Sequence, residues 1–114
     1  MVATVLPLAR RGEYRSPRER LLAVGVEEGF CSGEFLEPVW GERTEKAARV
    51  CACESSGNPR AVSRDRLYYG LFQVDPNVHD LRRGDLFDPI FNSVFSAALQ
   101  SREGWEPWPV CGRL

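Results

Sequence analysis

The chain has 114 residues, the length of a single domain. A hydrophobic fraction of 43% supports a packed core and excludes a disordered chain. The net charge of -1 does not favour nucleic acid as a partner, and no apolar run nears the roughly 18 residues that span a membrane.

The opening stretch, MVATVLPLARRGEYRSPRER, makes a poor secretory leader. Its apolar part is short, and its positive charges follow that part instead of preceding it, so no export signal is visible. Arg10, Arg11, Arg15, Arg18 and Arg20 crowd this end. Residues 1–15 are expected to form a flexible or accessory arm with solvated charges, ahead of one domain filling the rest of the chain.

A first helix is predicted from Ser16. Ser16 suits an N-cap, Pro17 the first helical position, and Glu19 completes a capping box. Leu21, Leu22, Val24 and Val26 supply its apolar residues up to Gly29. The next stretch, CSGEFLEPVWGE, is broken by Gly33, Pro38 and Gly41 and reads as a loop or a single turn. A second helix is predicted over 44–54, with Ala47, Val50 and Cys51 as its stripe. SSGNPRAVSRDRLYYG has turn residues and short alternating pieces, the pattern of a small hairpin. GLFQVDPNVHDLRRGD reads as compact loop. A last helix opens with Asp88 as cap and Pro89 at its first position. Its apolar face is Phe91, Val94, Phe95, Ala98 and Leu99, and Gly104 ends it. The fold class is therefore mainly α, or α+β, helical with one small hairpin.

The cysteines are Cys31, Cys51, Cys53 and Cys111. Cys51 and Cys53 stand too close to bond each other within a helix, so each is expected to bond outward, one to Cys31 and the other to Cys111. Free buried thiols and a zinc site are the alternatives, although Cys-x-Cys lacks the usual zinc-knuckle spacing. Two disulfides would imply an oxidising compartment. No cofactor motif is present and no metal site is expected. His79, the lone histidine, has no matching nucleophile or ligand set and reads as structural or exposed.

Glu54 raises the chemical question. Counting back three, four and seven residues reaches Cys51, Val50 and Ala47, so Glu54 prolongs an apolar stripe. A carboxylate in that position loses solvation when charged, and its pKa rises. An acid still protonated near neutral pH suits general acid catalysis. The alternative is a glutamate that only caps the helix or pairs with an arginine near Ser63.

The residues that follow weigh on that choice. Glu54-Ser55, Asn58-Pro59, Ala61, Ser63, Gly70-Leu71 and Gln73 reproduce in order and spacing the Glu-Ser-x-x-Asn-Pro, Ala-x-Ser and Gly-Leu-x-Gln motifs. Asp88, Pro89 and Asn92 match a later Asp-Pro helix, and the tail GWEPWPVCG is similar to those of small actinobacterial and phage members. This part of the chain, about 44–112, resembles the lytic transglycosylase and goose-type lysozyme group of the lysozyme-like superfamily. The resemblance implies a lysozyme-like fold with a hairpin beside a cleft, with peptidoglycan glycan strands as substrate. It implies Glu54 as catalytic acid and then base on the bond between N-acetylmuramic acid and N-acetylglucosamine.

Closure by the sugar's own 6-hydroxyl would give an anhydro product, and water would give a hydrolysed one. The hydrolytic route usually needs a second carboxylate, for which Asp65 and Asp75 are the candidates. Ser63 and Gln73 match positions that bind substrate or orient the acid. Of Tyr68 and Tyr69, one is expected to face the groove and one the core. Trp105 or Trp108 is expected to line the groove. The Ala-Tyr-Asn motif of longer members is missing.

A near-neutral chain must draw its affinity for an anionic wall from the groove or from a carrier, such as a phage tail or a secretion assembly. The non-enzymatic alternative is a structural or wall-binding component of such a tail.

Overall fold

The computed structural model describes residues 15–114. The expected arm therefore lies outside the described residues except for Arg15. The fold is mainly helical: α1 (Pro17–Glu28), α2 (Gly33–Trp40), α3 (Thr44–Ser55), α4 (Arg83–Leu86) and α5 (Pro89–Glu103), with short 3-10 turns at Gly41–Arg43 and Cys111–Arg113. Among the described residues, no helix is long and apolar enough to cross a membrane.

The expected caps form. Ser16 Oγ accepts from the Glu19 N–H at 3.1 Å, and Glu19 Oε1 accepts from the Ser16 N–H at 3.1 Å. Asp88 Oδ1 accepts from the Ile90 and Phe91 N–H groups and opens α5. Its other oxygen pairs with Arg18, which ties the start of α1 to the start of α5.

The stretch expected to be a loop or a single turn is instead helix α2, and it supplies three of the largest fully buried side chains. Phe35, Leu36 and Trp40 are each at most 1% exposed. Ser32 provides the cap that starts it, its Oγ accepting from the Phe35 N–H at 3.1 Å. Pro38 removes one helical N–H, but burial of three large apolar side chains offsets that loss. A local breaker thus yields to the core.

The face of α5 also differs from expectation. Asn92, Ser93, Ser96, Ala97 and Leu99 point inward, whereas Val94 is 49% exposed and Ala98 is exposed. Small and polar residues are needed there because other backbone and ring atoms come close. Trp40 Nε1 donates to Ser93 Oγ at 2.9 Å, and Asn92 serves the 69–72 segment. Phe91 and Phe95 stack on each other at the edge of the core, with rings 6.4 Å apart.

The core joins Phe35, Leu36 and Trp40 to Ala47, Val50 and Cys51 of α3, to Leu71 and Phe72, and to Trp108. Trp40 also stacks on Trp105 at 5.8 Å. Both outward disulfides form, and the pairing is Cys31–Cys51 and Cys53–Cys111.

The expected hairpin is reduced to two isolated bridges, Val62 with Tyr69 and Tyr69 with Val74. Left-handed backbone at Arg66 (φ 61°) and Gln73 (φ 52°) interrupts each extended piece before a ladder can grow.

Candidate active site

Glu54 occupies the final turn of α3. The helix ends there because Ser56 turns left-handed at φ 54°, followed by Gly57 at φ 80°. Ser55 serves this local turn: its Oγ donates to the Cys51 carbonyl and accepts from the Gly57 N–H, both at 3.2 Å. Asn58 Oδ1 then accepts from the Arg60 N–H at 3.0 Å, which turns the chain back toward the cleft.

Glu54 is half-buried and has no ion-pair partner among the described residues. Burial pushes its carboxyl up to about 7. Its position at the negative end of the α3 dipole acts in the same direction. The alternative in which Glu54 pairs with an arginine near Ser63 does not occur.

Glu54 opens on a cavity of about 280 Å³ lined also by Ser63, Tyr68, Gln73 and the 107–111 tail. One wall is therefore the segment expected to be a hairpin, and the other is the C-terminal tail. The tail is held there by Cys53–Cys111, whose Cys53 immediately precedes Glu54. A second cavity of about 300 Å³ shares Tyr68, Gln73, Pro107 and Trp108 and runs on to Asp75, His79, Glu103 and Glu106. Together the two form a continuous cleft.

The Gln73 carboxamide is anchored by its nitrogen. Nε2 donates to the Ala61 carbonyl at 3.1 Å and to the Gly70 carbonyl at 3.0 Å. Carbonyls can only accept, so the NH2 must face them, which leaves Oε1 as the polar atom available to a ligand.

The Gly70 position admits no side chain. Its φ is +79°, and a Cβ there would lie 2.1 Å from the Leu86 carbonyl oxygen and 2.4 Å from Asn92 Nδ2. Asn92, fully buried, donates to the Tyr69 and Leu86 carbonyls at 3.0 and 3.1 Å and accepts from the Phe72 N–H at 2.9 Å. It pins the Gly-Leu-Phe-Gln turn to α5 and so sets where Gln73 stands.

Ser63 lines the cleft, but its hydroxyl is engaged. It donates to Asp65 Oδ1 at 2.6 Å and accepts from the Tyr68 N–H at 3.1 Å. Asp65 is fully exposed, and its hydrogen bonds from Ser63 and the Leu67 N–H hold its pKa below the usual carboxylate range. Asp75 lines the second cavity, where its Oδ1 accepts from the Asn77 and Val78 N–H groups.

Tyr68 faces the cleft and Tyr69 the core. Tyr68 is 41% exposed, whereas Tyr69 is 5% exposed and donates its hydroxyl to the Arg66 carbonyl at 2.8 Å. The expectation that Tyr69 binds substrate thus meets a buried ring packed edge-on against Phe87 at 5.8 Å. Of the two tryptophans, Trp108 lines both cavities and donates Nε1 to the Phe72 carbonyl at 2.8 Å. Trp105 lines neither, and sits against Trp40 beside a separate depression. In the Pro107–Val110 wall only Trp108 was expected at the groove; Pro107, Pro109 and Val110 carried no signal beyond the cysteine that anchors them. His79 packs edge-on against Phe95 at 5.1 Å on the rim of the second cavity. Among the described residues no group of acidic, histidine or cysteine side chains is arranged to hold a metal ion.

No family model matches the chain, and no solved structure matches it. It is similar to the resuscitation-promoting factor RpfB of Mycolicibacterium smegmatis, with 32% identity over 117 residues. That alignment takes in 96% of this chain but 30% of the relative, so the chain spans less than a third of RpfB's length.

Proposed function

We propose that this chain is a peptidoglycan-cleaving muramidase of the lysozyme-like superfamily, with Glu54 as the general acid and then the general base. The observation that carries the reading is a half-buried carboxyl without a cationic partner among the described residues, raised to about 7, facing a cavity of about 280 Å³ with a second of about 300 Å³ beside it. Glu54 protonates the glycosidic oxygen between N-acetylmuramic acid and N-acetylglucosamine. As the bond breaks, the N-acetylglucosamine leaves with the proton, positive charge develops on the anomeric carbon of the N-acetylmuramic acid, and the resulting Glu54 carboxylate faces it. The same carboxylate then takes a proton from the incoming nucleophile.

That nucleophile is the sugar's own 6-hydroxyl, which makes the enzyme a lytic transglycosylase. Two features favour this route over hydrolysis. Among the described residues, the cavity that holds Glu54 has no second carboxylate in its lining, and Asp65 is already committed to Ser63 and Leu67. An intramolecular hydroxyl needs no activated water and attacks at high effective concentration. The carboxylates of the adjoining cavity, Asp75, Glu103 and Glu106, are those on which a hydrolytic route would depend.

Gln73 Oε1 accepts from a substrate N–H or O–H, Tyr68 stacks on a sugar face, and Trp108 forms the apolar floor. The disulfides suit an enzyme working outside the reducing cytoplasm, at the cell wall. Digestion of purified peptidoglycan followed by mass spectrometry tests the reading. Anhydromuropeptides, lighter by one water than the hydrolysed products, are expected. Intact wall after digestion would reject the enzyme assignment, and reducing ends as the sole product would reject the transglycosylase route.

A further inference from the structure

Among the described residues the cleft carries no arginine or lysine in its lining, but Asp75, Glu103 and Glu106 join Glu54 along it. Exposed cations gather instead around Tyr69, which points away from the cleft. Arg83 Cζ sits 5.6 Å from the Tyr69 ring centroid, Tyr69 packs on Phe87 at 5.8 Å, and Arg60 Cζ sits 5.3 Å from the Phe87 ring. The Tyr69 hydroxyl is bound to the Arg66 carbonyl, which fixes the turn that carries Arg66.

Arg64 and Arg82 adjoin these positions, and all five arginine side chains are exposed. None of the five has an ion-pair partner or a side-chain hydrogen bond among the described residues. The same segments carry Asp65, Asp80 and Asp85, and Asp65 is already engaged by Ser63 and Leu67. Positive charge is left in excess. An arginine stacked on a ring by its face keeps its N–H edges free for an oxyanion.

Arg66 adds an independent sign. It adopts the left-handed conformation, φ 61°, at the tip of the turn. That conformation is disfavoured for an L-residue, and glycine would adopt it freely. Strain of this kind points to a use for the side chain.

We propose that this arginine surface, built on Arg60, Arg66 and Arg83 around Tyr69 and Phe87, docks a phosphodiester-bearing anionic polymer of the cell wall. A phosphodiester presents two equivalent oxygens to a guanidinium and repeats its charge along the chain, which suits several separate arginines. The acidic cleft repels such a polymer, and none of these arginines lines the cleft, so docking through them leaves it free for the glycan. A nearly neutral protein thereby gains wall affinity through charge segregation. The inference rests on the wall setting of the proposed function, but not on Glu54 being catalytic.

The test uses the full chain carrying Glu54→Gln and measures its sedimentation with purified wall in two forms. One form retains its phosphodiester polymers, and the other has been stripped of them with cold hydrofluoric acid. The chain should bind the native wall, and more weakly at 200 than at 50 mM salt, as exposed charges are screened. Arg60→Gln/Arg66→Gln/Arg83→Gln should weaken binding at least tenfold, and stripping should do the same.

Arg66→Gly is the control for folding, because it should bind more weakly while unfolding at a higher temperature. A soluble poly(glycerol phosphate) chain should compete, whereas polyglutamate and duplex DNA at equal charge should compete poorly. Equal binding by the triple variant, no effect of stripping, or equal competition by DNA or polyglutamate would overturn the proposal. Lytic activity of the unsubstituted chain is scored separately, so a wall-binding but inactive protein would reject the enzyme reading and leave the docking surface standing.

Discussion

Replacing Glu54 with glutamine keeps the side chain's size while removing its charge, and this predicts opposite changes in activity and stability. The carboxyl is raised from 4.5 to about 7 by burial. One unit corresponds to about 1.4 kcal/mol, so the ionised carboxylate costs the folded state at most about 3.4 kcal/mol. Glu54 is only half-buried, and solvent screening reduces that to roughly 1–3 kcal/mol.

The sign follows from proton linkage. Between pH 4.5 and about 7 the folded chain holds a proton that the unfolded chain has released. Stability therefore falls as pH rises through this window and levels off above it. Glu54→Gln removes the dependence. The variant and parent should unfold together near pH 4, whereas at pH 8 the variant should be more stable by roughly 1–3 kcal/mol, or about 5–15 °C in midpoint. Thermal unfolding from pH 4 to 9, with the disulfides intact, measures it.

Activity should fall at least about a hundredfold in the variant. The parent should lose activity above pH 7, as the acid loses its proton. A stability difference that is the same at every pH would refute the account of Glu54 as a desolvated acid. Near-normal lysis by Glu54→Gln would refute its catalytic role.

Other consequences are equally open to measurement. Asn92→Ala leaves the Phe72 N–H and the Leu86 carbonyl unpaired in the interior, while the Tyr69 carbonyl keeps its bond from the Val74 N–H, so a loss of about 3 kcal/mol is expected in urea unfolding. Cys53→Ser/Cys111→Ser opens a loop of 58 residues and should cost about 4 kcal/mol in the entropic model, against about 3 for the 20-residue loop of Cys31–Cys51. Only the former should also raise KM, because it frees the tail wall beside Glu54; equal KM in the two variants would contradict that placement. Tyr68→Ala should raise KM about tenfold at unchanged folding stability, since its ring is 41% exposed beside the cleft. Asp65→Asn should leave lytic activity within about threefold, and a large loss would return Asp65 to the list of second carboxylates.

Local signals in the sequence were strong wherever one short stretch decided the outcome. The caps at Ser16 and Asp88, the Ala47-Val50-Cys51 stripe and the place of Glu54 at its end all follow from helical spacing and hydrogen-bonding chemistry within a few residues. The alternation of Tyr68 and Tyr69 follows from the two-residue period of extended backbone. That Cys51 and Cys53 bond outward follows from their separation.

Four features were settled only when distant segments met. Helix α2 forms across Pro38 because Phe35, Leu36 and Trp40 fill the core. The inner face of α5 is small and polar because Trp40 and the 69–72 segment press against Ser93 and Asn92. Cys31 rather than Cys111 takes Cys51, and Trp108 rather than Trp105 reaches the cleft, because the tail folds back past Glu54. Side-chain type and local spacing establish which residues can bury, cap or ionise. Which of them share a wall depends on how the chain closes over 20 to 58 residues, and the two disulfides mark those distances.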